Sequence, residues 1–177
     1  MTEKIYNKDK PLVLISRCLS FKACRYDGSI IELEEIKELK NEFILKPICP
    51  EVAAGMGMPR PPIRLIVLNN RKEIGYIFND RWQIKSGILK KVIRQYLRKY
   101  SNAAGMILKE KSPSCGIRES KYYSPPAKKF KGRTAGILIE EYNRLELDWP
   151  LIDEISLKKA KLKKKFIADV KNYHRKR

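Results

Sequence analysis

Leu108-Lys109-Glu110-Lys111-Ser112-Pro113-Ser114-Cys115-Gly116 is the stretch on which the reading of this chain turns. Met106-Ile107-Leu108 at its start is a short apolar run of the kind that forms a buried strand, and Ser-Pro-Ser stops that strand from continuing. Pro113 has no backbone donor and a fixed φ, so Ser112, Ser114 and Cys115 ride on a stiffened loop, and Gly116 lets the backbone approach a neighbour closely. The same arrangement recurs twice: Cys18 follows Leu12-Val13-Leu14-Ile15, and Cys49 follows Phe43-Ile44-Leu45 and Pro47-Ile48. Three strand ends therefore carry three thiols.

In open α/β sheets the ends of parallel strands converge on one crevice. The expected fold is α/β, three-layered and Rossmann-like, with a mostly parallel central sheet and a metal site at the C-terminal ends of its strands. Three thiols around one point suit a soft metal or an iron-sulfur cluster. The competing reading is three buried cysteines acting as small hydrophobes. Against it stand polar neighbours: Ser-Pro-Ser before Cys115, Pro50-Glu51 after Cys49, and Arg25-Tyr26-Asp27-Gly28 shortly after Cys18.

At these residues the chain resembles the thiouracil desulfidase family, long described only as a domain of unknown function. The resemblance rests on Ser16-Arg17-Cys18-Leu19, Arg25-Tyr26-Asp27-Gly28, Pro47-Ile48-Cys49-Pro50-Glu51, Gly57-Met58-Pro59-Arg60-Pro61-Pro62-Ile63-Arg64 and Lys111-Ser112-Pro113-Ser114-Cys115-Gly116, in that order. It implies a 4Fe-4S cluster with three cysteine ligands, Cys18, Cys49 and Cys115, and one open iron. It implies a non-redox removal of sulfur from a thiolated pyrimidine. Ile152-Asp153-Glu154, Leu157 and Phe166-Ile167 resemble the end of the desulfidase domain in longer relatives that act on 4-thiouridine in transfer RNA, whereas single-domain relatives act on free thiouracil. Cys24, six residues after Cys18, is not carried over as a ligand, because the family often has valine there.

The 177 residues are one domain's worth, 1–177, with 158–177 a basic C-terminal helix whose apolar stripe is Leu162, Phe166 and Val170. Four cysteines spaced by six, 25 and 66 lack the paired CxxC of a zinc ribbon and do not read as a disulfide framework. A reducing cytoplasm is the expected location, since Met1 to Lys10 has no apolar signal core and no run approaches a bilayer span. The formal net charge is +19, from 39 basic and 20 acidic residues, which points to a polyanionic partner such as RNA. Ten of the basic residues fall after Leu157 against one acid, Asp169; a lysine-rich solvated helix is the alternative.

Asp-Gly at 27–28 signals a turn, with Asp27 either forming it or capping a helix from Ile30 to Leu39. Strands are expected at 11–17, 43–48, 65–68, 74–78 and 106–108, with a turn at Asn69-Asn70-Arg71. A long amphipathic helix is expected from Asn79 to about Ser101, with Ile84, Ile88, Val92 and Leu97 inward. Ser120 to Gly132 reads as a basic loop interleaved with Tyr122, Tyr123 and Phe130, able to stack bases and hold phosphates or simply packed on its own aromatics. Arg133 to Leu145 reads as a helix, followed by an extended piece near Leu147.

Glu51, beside Cys49, is the candidate acid/base, and Ser112 the candidate hydrogen-bond donor to the ring or to developing charge. Weaker candidates for substrate binding are Asp27, Arg60, Arg64 and Ser114; the planar forks of the two arginines suit a phosphate or a pyrimidine carbonyl. The reading from a different class is a basic RNA-binding module whose cysteines hold a structural zinc, with Cys24 as the fourth ligand.

Overall fold

Leu12-Val13-Leu14-Ile15-Ser16 is apolar at every position but the last, the pattern of a strand covered on both faces. A computed structural model, described over residues 10–68, 71–78, 81–124 and 129–177, bears this out. In chain order the elements are β1 (Leu12–Ser16), α1 (Ile36–Glu42), β2 (Ile44–Ile48), α2 (Pro50–Ala53), β3 (Arg64–Leu68), β4 (Arg71–Phe78), β5 (Arg81–Ile84) and α3 (Ser86–Lys99). They continue with β6 (Gly105–Leu108), β7 (Ser120–Ser124), β8 (Lys129–Thr134), α4 (Ile137–Arg144), β9 (Leu151–Asp153), α5 (Glu154–Leu157) and α6 (Ala160–Arg175).

The first sheet has the order β2-β1-β6-β9, and every pairing in it is parallel. Successive side chains of a strand point to opposite faces. Leu14, Met106 and Leu108 accordingly join Leu89, Ile93 and Leu97 of α3 and Ile137 and Leu138 of α4 in one core. Val13, Ile15 and Ile107 join Ile36 and Leu39 of α1 and Phe166 and Val170 of α6 in another. This sheet with helices on both faces matches the expected three layers. Close packing of α6 depends on Gly105, where a Cβ would stand 2.8 Å from Val170.

The expected parallel central sheet is present, but it is accompanied by a second sheet that was not expected. This second sheet, ordered β5-β4-β3-β7-β8, is antiparallel at three of its four pairings and parallel only between β3 and β7. Its inner residues Leu65 and Ile74 pack into the α3–α4 core. Asn69 and Asn70, expected to form a turn, lie outside the described residues, but Leu68 pairs with Arg71 across β3 and β4 as a hairpin requires.

Other local expectations also shift. The helix expected from Asn79 begins at Ser86, because 81–84 pairs antiparallel with β4 as an edge strand. The buried face of α3 is Ser86, Leu89, Ile93 and Leu97, whereas Ile84 and Ile88 are 43% and 47% exposed. A one-residue slip rotates a helix face by about 100°, which separates the Ile88 row from the Leu89 row. The helix expected at 30–39 is Ile36–Glu42, the one expected at 133–145 is Ile137–Arg144, and the extended piece expected near Leu147 is Leu151–Asp153. The basic loop is a hairpin of β7 and β8, with residues 125–128 outside the described part. The C-terminal helix spans Ala160–Arg175; Phe166 and Val170 are buried, but Leu162, expected in the same stripe, is exposed. No helix among the described residues is long and apolar enough to cross a membrane.

Candidate functional site

From β1 the chain crosses to β2 on one side and later returns to β6 on the other, so the crevice at the C-terminal end of β1 is a switch point of the sheet. All three cysteine-bearing exits lie there. Arg17 N donates to Ile48 O at 2.8 Å, which joins the ends of β1 and β2 just before Cys18 and Cys49. The exit of β6 is held by Ser16, whose Oγ accepts from Lys109 N at 3.0 Å. A cavity of about 460 Å³ opens above these ends, lined by Cys18, Cys24, Cys49, Cys115 and Glu51 among others. That volume falls in the range of small-molecule sites.

The loop carrying Cys115 is docked onto the start of α4. The first N–H groups of that helix lack intrahelical partners, and Ile137 N and Leu138 N donate to Pro113 O and Ser114 O at 3.1 and 2.9 Å. Gly136 permits this approach, since a Cβ there would stand 2.9 Å from Pro113 O. Inside the loop Ser112 Oγ accepts from Ser114 N and Cys115 N at 3.3 and 3.2 Å. Glu110, buried at the loop's base, accepts through Oε1 from Lys111 N, Arg118 N and Glu119 N at 3.1, 3.2 and 2.8 Å.

Burial sets the chemistry of the thiols. It pushes Cys18 up to about 12, helped by Cys49 and Glu51 and opposed by the ammonium of Lys109. Cys49 is likewise raised to about 12, chiefly by burial, and Cys115 is raised by burial and by the neighbouring Cys49 and Glu51. Cys24 is raised by burial and by Cys18, with a hydrogen bond to Cys49 acting the other way. All four are free cysteines. Thiolates in this cavity are costly unless a positive centre arrives, which is the donor chemistry that a soft metal group satisfies. Among the described residues no three His, Cys, Asp or Glu side chains are grouped to hold one metal ion. A single tetrahedral zinc would draw its thiolates to roughly 3.8 Å from one another, given Zn–S bonds of about 2.3 Å. A polynuclear cluster, with each thiolate on a different iron, accepts donors spread around a cavity wall.

Glu51 lies in the first turn of α2 and is buried. Arg60 grips it, donating to Oε2 through Nε at 2.9 Å and through Nη2. Arg64 also lines the cavity, with its guanidinium 5.2 Å from the Tyr123 ring centroid, and Lys121 and Tyr123 of β7 stand beside it. Ser112 lines the cavity as well.

Two sequence-derived candidates lie elsewhere. Asp27 is exposed and absent from the cavity wall; its Oδ1 accepts from Ser29 N and Ser29 Oγ at 3.0 and 2.6 Å, so it forms the turn rather than capping α1. Ser114 is fully buried beneath the loop, and its hydroxyl has no partner there. Conversely, the cavity includes Lys109, which sequence reasoning did not single out, and Cys24, which it offered only as the fourth ligand of a structural zinc. Lys109 donates to Glu154 Oε1 at 2.7 Å and to Glu110 O at 2.6 Å, a cation held next to Cys18. Its position just after β6 was visible in the sequence, but its partner Glu154 is 45 residues on. Cys24 reaches the cavity because Arg60 holds the carbonyl of its loop, a contact across 36 residues.

A thiol-lined cavity at the switch point of a parallel sheet, with a clamped carboxylate in its wall, defines an α/β protein with a site of small-molecule size. The chain belongs to the 2-thiouracil desulfurase family, whose model matches residues 13–148. It is 32% identical over 114 residues, or 59% of this chain and 73% of the relative, to the uncharacterised protein YbbK of Bacillus subtilis strain 168. Among solved structures it resembles the 4Fe-4S-dependent thiouracil desulfidase TudS, with a TM-score of 0.64 over 88% of this chain and 99% of that one, at 22% identity. That likeness establishes the shared fold.

Proposed function

We propose that the protein is a desulfidase that converts a thiolated pyrimidine and water into the oxygen analogue and hydrogen sulfide, with no net oxidation or reduction. The observation that carries this reading is the meeting of Cys18, Cys49, Cys115 and Glu51 in one cavity at adjacent parallel strand ends. Cys18, Cys49 and Cys115 would hold a 4Fe-4S cluster, the group on which the structural relative's printed name says that protein depends, and as only three thiolates they would leave one iron open to substrate. When bound, the cluster supplies a soft Lewis acid for the thiocarbonyl sulfur, which makes the adjacent ring carbon more electrophilic.

The side chains do the rest. Glu51 activates the water: Arg60 occupies Oε2, and Oε1 has no partner among the described residues. Ser112 accepts two backbone N–H groups, so its own proton is left to donate to the ring or to charge developing on it. Arg64, Lys121 and Tyr123 give the cavity a cationic, aromatic side that suits a pyrimidine carried on RNA, as in the 4-thiouridine of transfer RNA. Free thiouracil is the competing substrate.

The test is anaerobic reconstitution followed by iron analysis and turnover of 2-thiouracil and of thiolated transfer RNA at several salt concentrations. Wild type should hold about four irons per chain. Cys18→Ser, Cys49→Ser and Cys115→Ser should each lose them, and Cys24→Ser should keep them. On RNA, log affinity should fall with log salt by roughly 0.7 per phosphate contacted, whereas the free base should show almost no slope. A colourless protein with one zinc would replace this reading with the zinc-stabilised binding module, and loss of the cluster in Cys24→Ser would remove the open iron.

A further inference from the structure

We propose that Arg60 is the positioning residue of this site: it fixes the Glu51 carboxylate, and through it the attacking water, and makes no contact with the pyrimidine. The inference rests on the role of Glu51 given above. A guanidinium has five N–H groups. In Arg60 the Nε–H and one Nη2–H go to Glu51 Oε2, the other Nη2 proton goes to Cys24 O at 3.2 Å, and the two on Nη1 go to Cys24 O and Gly57 O at 3.3 and 3.0 Å. None is left for a ligand. The side chain is 5% exposed, and its backbone N–H donates to Tyr26 O at 2.9 Å.

Arg60 thus ties three segments together: the loop of Cys24 and Tyr26, the turn at Gly57, and the first turn of α2. Both of its donors to Glu51 converge on Oε2. The carboxylate is thereby held in one rotamer, with Oε1 as the oxygen left for water. A lysine carries the same charge but not the planar fork, so it cannot satisfy five directed contacts at once.

A substrate-binding arginine and a positioning arginine give different results in a double-mutant cycle. Wild type, Arg60→Met, Arg60→Lys, Glu51→Gln and the double variant Glu51→Gln/Arg60→Met are reconstituted and matched for iron content and visible spectrum, and kcat and KM are measured for each. Misplacing a reacting group by about 1 Å costs roughly 10²-fold. Arg60→Met should therefore lose roughly that much in kcat with KM little changed, and Arg60→Lys a smaller part of it. In the double variant the Arg60 change should cost less than about threefold beyond Glu51→Gln. Exogenous guanidinium should partly restore kcat of Arg60→Met but not of the double variant.

A rise in KM at constant kcat would overturn the proposal in favour of a substrate contact. Full multiplicative losses in the double variant would overturn it in favour of independent roles, with Glu51 left in place. Wild-type turnover by Glu51→Gln would instead remove the function assigned to Glu51, and this proposal with it.

Discussion

Glu110→Ala tests whether the Cys115 loop is held by one buried carboxylate. Oε1 of Glu110 gathers the N–H groups of Lys111, Arg118 and Glu119, and Lys111 itself adopts a left-handed backbone with φ 61°. A hydrogen bond to a charged acceptor contributes about 1.5–3 kcal/mol when its loss leaves the donor dry. Here all three donor residues are exposed, so their freed amides recover water, and about 1 kcal/mol each is the appropriate figure. The expected loss is therefore about 3 kcal/mol, equivalent to roughly 6–12 °C in Tm for a chain of this size. Glu110→Gln keeps the accepting oxygen and sheds a buried charge, so it should lie within about 1 kcal/mol of wild type. Urea unfolding of the metal-free protein measures both, and iron analysis after reconstitution reads the loop, since Ser112 and Cys115 move with it. A Glu110→Ala protein within about 0.5 kcal/mol of wild type and fully loaded with iron would refute the argument.

Further outcomes concern the buried hydroxyl and the thiols of the site. Ser114→Ala removes a buried hydroxyl that has no partner, so stability should be unchanged or rise by about 1 kcal/mol in urea unfolding, with turnover unaffected. In the metal-free protein Cys18 and Cys49 are raised by burial from an ordinary value near 9 to about 12. Their alkylation by iodoacetamide should stay slow at pH 8 and accelerate only toward pH 12. Because the folded values lie above the unfolded ones, the stability they contribute is fully present below pH 9 and is lost as pH rises from 9 through 12. Loading the cluster should accordingly release protons, which a weakly buffered titration would detect.

Much of the parallel sheet was legible in the sequence, because it is written locally. Leu12 to Ile15 and Met106 to Leu108 are apolar on both faces, Ile44 to Ile48 is apolar but for the exposed Lys46 and the half-buried Pro47, and each ends in a residue or turn that stops the strand. The convergence of Cys18, Cys49 and Cys115 followed from that pattern by topology alone. The second sheet was less legible: Arg81-Trp82-Gln83-Ile84 fits the start of a helix as well as an edge strand, and pairing with β4 decides between them.

Within the site, the sequence determined which residue types were available, and tertiary structure determined which atoms they meet. Glu51 and Arg60 lie nine residues apart and were read as separate candidates; the turn at Gly55 to Gly57, with both glycines at positive φ, folds one onto the other. Ser114 and Ser112 look equivalent around Pro113, yet docking on α4 buries one hydroxyl and leaves the other at the cavity. Cys24 had no local signal for its place beside Cys49, because the bonds that hold its loop come from Arg60, 36 residues away. Strand ends are fixed by short-range pattern, whereas charge pairs and cavity walls depend on contacts between segments whose separation in sequence carries no information about their distance in space.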